Sequence, residues 1–476
     1  MEYEVVIGLE VHAELSTESK IYCSCKNAFG GMVNAQVCPI CLGMPGTLPT
    51  LNKQVVDYAI LMGHATNCKI NNITKQDRKN YMYPDLPKAY QISQYDIPIC
   101  EHGYVDFMLN GEKKRVGITR IHIEEDAGKL IHDEKFSGSL VDFNRCGVPL
   151  IEIVSEPDIR SSEEAKAYLE TIKSILQYLD ISDCKMQEGS LRCDVNVSIM
   201  PKGSKEFGTR CEMKNVNTFS GAVRAIEYEI ARQIELVESG GTVEQQTRRW
   251  DDAKGVSVLL RSKEDAQDYR YFPEPDLRAI YVTEEHVAEL KAQIPELPNQ
   301  KIERYMKDCQ LPQIEATLLA ENIQKSKFFE ACLAIGGVSP RSISNWILGD
   351  ISKTLNERNC EIDELALQPT ALIEMIKLAE AKTISSTAAK TVLEEIIDCA
   401  DADVAAIVKE KGLAQISDTS ALEGVVEQVL ADNAKAVEDY HNGKTNVLGF
   451  LVGQCMRLSK GKGNPAVLRE LLEKKI

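Results

Sequence analysis

Two hydrophobic periods divide the chain, and one gives way to the other near residue 290. Upstream, short alternating segments bounded by Gly, Pro and Asn predict strands. Val5, Ile7, Leu9, Val11, Ala13 and Leu15 share one face of the first, with Glu10, His12 and Glu14 on the other. Leu191, Cys193, Val195, Val197 and Ile199 repeat the pattern opposite Arg192, Asp194, Asn196 and Ser198. The next strand, 209–215, projects Arg210, Glu212 and Lys214 to one side, and the turn-like stretch 200–205 predicts a hairpin with the strand before it. Helical spacing interrupts the strands twice, over 161–180 and 218–238, the second stopped by Gly240-Gly241.

Ile294-Pro295-Glu296-Leu297-Pro298 reads as a linker. Beyond it, every substantial segment has helical spacing: 313–335, 341–355, 369–380, 383–398, 401–411, 420–433, 434–442, 446–459 and 464–474. Residues 414–418 read as a break between two helical units. The expected fold is therefore α+β: a mixed or antiparallel-sheet body over 1–293, an all-helical domain over 294–413 and a small helical tail domain over 414–476. At about 150 residues per domain, 476 residues agree with three.

Composition adds exclusions. With 43% hydrophobic and 27% charged residues the chain is ordinary globular protein, not disordered or fibrous. No apolar run approaches the roughly 18 residues of a membrane helix. The opening Met1-Glu2-Tyr3-Glu4 is no secretory signal, so a soluble cytoplasmic protein is expected. The 55 basic and 72 acidic residues leave a net charge of −17, which argues against coating nucleic acid through a general field. Residues 441–476 depart from this, with seven basic residues against two acidic, and read either as a terminal binding module or as a solvated basic helix end. Most of the 15 cysteines read as reduced core residues.

Four cysteines stand out from the scatter. Cys23-x-Cys25 and Cys38-x-x-Cys41 can surround Zn²⁺ tetrahedrally, and with no His or acid among them the site would be closed and structural. Four unmetallated thiols are the alternative. Glu10 and His12 lie about 7 Å apart on one strand face, where a hard cation would satisfy both. Glu124-Glu125-Asp126 ends another strand, and Glu152 sits inside an apolar run, where a lone acid is costly unless paired or metal-bound. Adding Asp194 and Glu212 gives a face whose acids interleave with Arg192, Arg210 and Lys214: acids to hold Mg²⁺, bases to hold phosphate oxygens. An interior salt-bridge network fits the spacing equally well. Gly443-Lys444-Thr445 is no P-loop, because Glu438 stands where the first glycine should be and the segment lies among helices. The run 78–95 packs four tyrosines with bases, prolines and amides, which suits an ordered functional loop or a polar interface.

Several long runs together resemble the B subunits of aspartyl/glutamyl-tRNA amidotransferases. They are Val6-Ile7-Gly8-Leu9-Glu10-Val11-His12, Asp77-Arg78-Lys79-Asn80-Tyr81 and Pro87-Lys88-Ala89-Tyr90-Gln91-Ile92-Ser93-Gln94. Glu124-Glu125-Asp126-Ala127-Gly128-Lys129, the run 149–158, Glu188-Gly189-Ser190-Leu191-Arg192-Cys193-Asp194 and the run 269–276 continue it, and Gly449-Phe450-Leu451-Val452-Gly453-Gln454 extends it into the tail. The resemblance implies a cradle-like sheet body, a helical domain and a tail that touches tRNA. It implies an ATP-dependent kinase-amidotransferase: the side-chain carboxylate of misacylated Glu-tRNA(Gln) or Asp-tRNA(Asn) is phosphorylated, and ammonia then displaces phosphate. By the same resemblance Glu10, His12 and Glu125 hold the cation, and Lys79 and Lys88 sit where ammonia is delivered. Glu152, Asp194 and Glu212 are additions from the strand-face pattern. Some members lack the four cysteines, so zinc would be structural. No amidase signature is evident in the chain, so the resemblance implies a heterotrimer with two partner subunits, an amidase (glutaminase) and a small bridging protein. A non-catalytic tRNA-binding scaffold and an ATP-independent metal hydrolase remain as alternatives.

Overall fold

The structure, a computed structural model, describes residues 2–132, 138–262, 268–415, 419–441, 444–459 and 463–476. It divides into two units, Met1–Lys301 and Ile302–Ile476. The strands of the first unit begin with β1 (Tyr3–Glu14), β2 (Lys69–Ile70), β3 (Ile73–Thr74), β4 (Asp77–Asn80), β5 (Tyr90–Ser93), β6 (Cys100–Leu109), β7 (Glu112–Glu125) and β8 (Lys129–His132). They continue with β9 (Ser139–Asp142), β10 (Pro149–Ser155), β11 (Leu191–Pro201), β12 (Cys211–Val216), β13 (Gln246–Asp251), β14 (Val256–Ser262), β15 (Phe272–Pro273) and β16 (Ile280–Tyr281). The helices of this unit are α1 (Lys53–Ala65), α2 (Ser162–Tyr178), α3 (Phe219–Glu238) and α4 (Glu284–Lys291), and α5 (Pro298–Asp308) runs on into the second unit.

Nine strands form one sheet in the order β14-β13-β12-β11-β1-β10-β7-β6-β2. Every pair is antiparallel except β12–β13. That exception follows from the connection, because a crossover through α3 returns the chain in the same direction. The expected hairpin is present as β11–β12. The apolar face of β1, with Ile7, Leu9, Val11 and Ala13 buried, packs in one core with Tyr168, Leu169 and Ile172 of α2 and Ala222, Ala225 and Ile226 of α3. Period two then leaves Glu10, His12 and Glu14 on the other face. Both helices begin as their sequences suggest: Ser161 Oγ accepts from Glu164 N at 3.1 Å, and Thr218 Oγ1 accepts from Gly221 N at 2.9 Å. Gly240, at φ +85°, ends α3 in the left-handed region that glycine tolerates.

Helices α1 and α4 do not appear among the expected elements. In α1 the apolar residues Val55, Val56, Ala59, Ile60, Leu61 and Met62 run too continuously to mark one helical stripe, and in α4 only Leu290 is buried. The linker also ends earlier than expected, since Pro298 begins α5. A proline at the start of a helix loses no hydrogen bond.

The second unit is all helical among the described residues. The segment 313–335 divides into α6 (Gln313–Ala320) and α7 (Ile323–Ile335), because Asn322 Oδ1 caps α7 by accepting from Lys325 N at 2.8 Å. The segment 341–355 becomes α8 (Pro340–Trp346), a π-helical turn Ile347–Ile351 and α9 (Ser352–Arg358), and Gly349 leaves helical geometry at φ −91°, ψ −106°. There follow α10 (Pro369–Glu380), α11 (Ser386–Ile396), α12 (Val404–Glu410), α13 (Thr419–Asp432), α14 (Ala434–His441), α15 (Val447–Leu458) and α16 (Pro465–Lys475). Two separate apolar clusters underlie them, one drawn from Ile302 to Val408 and one from Leu422 to Leu472. Residues 416–418 of the expected break, Gly443, and the tail bases Lys460 and Lys462 lie outside the described residues. The α+β expectation, a sheet-rich body followed by helices, matches this architecture. No described helix is long and apolar enough to cross a membrane.

Candidate cation and phosphate site

Strand register assembles the polar face of the large sheet. His12 of β1 lies opposite Glu152 of β10, which lies opposite His122 of β7. Toward the other edge Glu10 faces Asp194 of β11, Asn196 faces Glu212 of β12, Glu212 faces Thr247 of β13, and Thr247 faces Arg261 of β14. Residues scattered over the first unit thus become one continuous surface.

Two ligand groups result. In the first, His12, Glu124 and Glu152 offer donor atoms that all lie within 4.8 Å of one another. His12 Nε2 is 3.3 Å from Glu152 Oε2, and His122 Nε2 is 3.4 Å from the same oxygen and 3.5 Å from Glu124 Oε2. Burial penalises a charged Glu152, yet His122 and His12 hold its carboxyl well below the usual range. Burial acts against charge on His122 too, but Glu152 and Glu124 push it up to about 9. The second group is Glu10, Asp194 and Glu212, again within 4.8 Å. Asn196 Nδ2 donates to Glu10 Oε1 at 3.0 Å, Thr247 Oγ1 donates to Glu212 Oε2 at 2.8 Å, and Lys214 Nζ reaches Glu212 Oε1 at 2.9 Å and also Asp194. Burial raises Glu10, reinforced by Glu152, Asp194 and Glu212; burial also opposes charge on Glu212, but Lys214 brings it below its ordinary value. A cavity of about 200 Å³ opens here, lined by Glu10, Asn196, Arg210, Glu212, Arg261 and Tyr269 among others.

The expected residues do not all converge. Glu125 is turned away from His12: its carboxylate bonds Lys88 Nζ and accepts from Ile92 N at 3.0 Å, in a second cavity of about 200 Å³ shared with Tyr22, Cys41 and Gly147. Neighbours on a strand face opposite ways, so Glu124 and Glu125 cannot both look at His12. Lys79 and Lys88 are likewise apart. Lys79 Nζ lies 5.0 Å from the centre of the Tyr269 ring; burial disfavours its charge, but Glu124 more than restores it and the amine stays protonated. Arg192 pairs with Asp126 at 2.6 Å and so is not among the bases around Glu10. Strand alternation in Ile121-His122-Ile123-Glu124 would have paired His122 with Glu124, a signal that counting acids alone misses.

The four cysteine sulfurs also lie within 4.8 Å of one another and could bind a metal. Cys38 N donates to Cys41 Sγ at 3.1 Å, and Lys20 Nζ is 3.9 Å from the same sulfur. A hydrogen bond with Cys23 lowers Cys41 to about 5, outweighing burial, whereas burial raises Cys25 to about 11. Four sulfurs so placed suit a tetrahedral ion with no open position.

A sheet-rich catalytic body followed by a helical region is also the class that the known relatives define. The family described as the GatB/GatE catalytic domain matches residues 5–288, and the GatB domain matches residues 327–476. The chain is 58% identical to the B subunit of the aspartyl/glutamyl-tRNA(Asn/Gln) amidotransferase of Caldicellulosiruptor bescii, over 100% of this chain and 99% of the relative. The same-named protein of Thermoanaerobacter pseudethanolicus is 54% identical over 100% of both, and that of Clostridium tetani 52% over 100% of this chain and 99% of its own length. The chain belongs to the family of aspartyl/glutamyl-tRNA(Asn/Gln) amidotransferase B subunits.

Proposed function

We propose that this chain is the part of a glutamine-dependent amidotransferase that activates the side-chain carboxylate of Glu-tRNA(Gln), Asp-tRNA(Asn) or both with ATP and converts it to the amide. The observation that carries the reading is the pair of ligand groups side by side on β1, bordered by Arg210, Lys214 and Arg261. A carboxylate is a poor acyl donor because oxide is a poor leaving group. Transfer of the γ-phosphoryl of ATP to a carboxylate oxygen gives an acyl phosphate and ADP. Ammonia then attacks the carbonyl carbon, the bond to the phosphate oxygen breaks, and phosphate leaves.

The donors fit Mg²⁺, which prefers carboxylate oxygens together with substrate phosphates. Glu10, Asp194 and Glu212, with His12, Glu124 and Glu152 beside them, would hold it, and its charge would offset that of the transferring phosphoryl group. Arg210 and Arg261 line the same cavity and would bind phosphate oxygens, with Lys214 orienting Asp194 and Glu212. Lys79, kept charged beside Glu124, would steer the substrate carboxylate. Lys88 and Glu125, on the far side of the strand, would line the way by which ammonia arrives. Glu124, and not Glu125, is thus assigned to the cation, and Arg192 is assigned to holding Asp126.

In this reading Cys23, Cys25, Cys38 and Cys41 hold a structural Zn²⁺ outside the reaction. Residues 1–293 form the catalytic body, 294–413 a helical domain and 414–476 a tRNA-binding tail, in a cytoplasmic heterotrimer completed by the amidase and the small bridging protein. Glu152→Gln in the assembled complex tests the site. It should abolish ATP-dependent amide formation while glutamine hydrolysis by the amidase continues. Normal transamidation by this variant would remove the assignment.

A further inference from the structure

Lys79 and Lys88 of the run 78–95 have roles in the proposed chemistry, but its tyrosines have none so far. The structure gathers this run with 269–273 through the three-stranded sheet β15-β4-β5. Arg78 pairs with Phe272 across the strands and grips Glu274 with two hydrogen bonds of 2.6 and 2.8 Å. Asn80 donates its backbone N–H to Tyr269 O at 2.9 Å and its side-chain amide to Arg270 O at 2.8 Å. These contacts hold four rings in a row. Tyr81 and Tyr269 meet edge to face at 5.8 Å, Tyr269 and Tyr271 at 6.1 Å, and Tyr271 and Tyr95 lie parallel at 4.3 Å with only 10° between their planes. The row runs from Tyr81 through Tyr269, which lines the cavity of Glu10 and Glu212, to Tyr95, which is 53% exposed.

We infer that this row of rings, with Tyr95 outermost, is the stacking platform for the unpaired nucleobase at the 3′ end of the aminoacylated RNA. The inference rests on the proposed function and adds to it the place of the substrate's last nucleotide. The reacting side-chain carboxylate is tied to the terminal ribose through one ester and only two or three carbons, so the base on that ribose must lie close to the carboxylate groups. The adenine of ATP is separated from the transferring phosphorus by a ribose and the remaining phosphates, and can lie much further off. An unpaired base needs a flat apolar face and tolerates any sequence, which is what exposed tyrosine rings offer. The protonated Lys79 over Tyr269 adds a cation next to the place where the RNA backbone would pass.

The test compares Tyr95→Ala and Tyr95→Phe in the full-length complex. For Tyr95→Ala the apparent KM for aminoacyl-tRNA should rise about tenfold, toward the lower end of the range for losing one base–aromatic stack. Its kcat at saturating RNA and its KM for ATP should stay within about twofold, and Tyr95→Phe should behave as the parent protein. In a binding assay with tRNA shortened by its last nucleotide, the parent and Tyr95→Ala should bind alike, because the partner of the ring is gone. An unchanged KM for aminoacyl-tRNA, or an alanine effect that persists on shortened RNA, would overturn the inference. A rise in the KM for ATP instead would assign the platform to the nucleotide and overturn it as well. A parent complex that formed no amide from misacylated tRNA would overturn the proposed function itself, whatever Tyr95 does.

Discussion

Glu124 and Glu125 are adjacent and chemically alike, yet they belong to different sites. Glu124 faces His122 and Glu152, whereas Glu125 faces Lys88 and the cavity beside the cysteines. One residue of displacement along a strand reverses a side chain, so single-residue arguments here depend on strand parity. The cysteine group is the opposite case, since its spacing alone specified four converging sulfurs. If it holds zinc, purified protein should contain about one equivalent, and Cys38→Ser with Cys41→Ser should lose it. The same double variant should expose the loop 16–52 to proteolysis, since a closed four-sulfur site ties the loop's two ends together. Metal analysis and limited digestion check both outcomes. A zinc-free parent protein that resists digestion would exclude the structural metal.

At the scale of elements, the contact between α1 and α4 is the one that periodicity missed. Two imidazoles join these helices. His64 Nε2 lies 3.1 Å from Val287 O, and His286 Nε2 lies 2.7 Å from Asp57 Oδ1. Burial lowers the pKa of His64 below its usual 6.5, and nearby Lys291 acts in the same sense. The unfolded chain therefore binds a proton on His64 more readily than the folded one, and stability rises with pH across that interval. The contribution is complete above about pH 6.5 and is lost as pH falls through the lower folded value. The protection of amides in 284–291, taken relative to their intrinsic exchange rates, should fall on acidification from pH 7 to pH 5.5, and His64→Gln should flatten that dependence. Equal acid sensitivity in both proteins would show that His64 does not set it.

At the scale of the whole molecule, charge must be counted by domain and not by window. Residues 441–476 carry seven bases against two acids, but the tail from 414 to 476 carries eight of each. The folded tail joins them: Lys444 bonds Asp439 at 2.9 Å, Lys474 bonds Glu470 at 2.6 Å, Arg469 bonds Glu473 at 3.1 Å, and Lys475 reaches Glu427 of α13. Such surface pairs add little stability, but they offset the positive field that the last residues would otherwise project. If the tail binds tRNA, it does so mainly by shape and a few interactions with phosphate. Deleting residues 419–476, which carry their own apolar cluster, should raise the KM for aminoacyl-tRNA with kcat within a few-fold. The salt dependence of binding should flatten by about 0.7–0.9 in slope for each phosphate that the tail no longer neutralises. Unchanged affinity and slope would leave the tail a purely structural role.

Alternation in β1 and β11, the caps of α2 and α3, most of the C-terminal helices and the cysteine spacing were legible along the chain because each is set by near neighbours. Periods of two and 3.6, a capping hydroxyl or a short metal-ligand spacing need no knowledge of distant residues. The pairing of His12 with Glu152, and of Glu152 with His122, was not legible, because it depends on which strands lie side by side and in what register. The same holds for Arg261, which joins Glu212 through β13 and β14. The chain alone determined which face of each strand would be polar. Only the order β11-β1-β10-β7 decided which polar residues meet, since hydrogen bonding between distant strands brings together donors that sequence separation keeps apart.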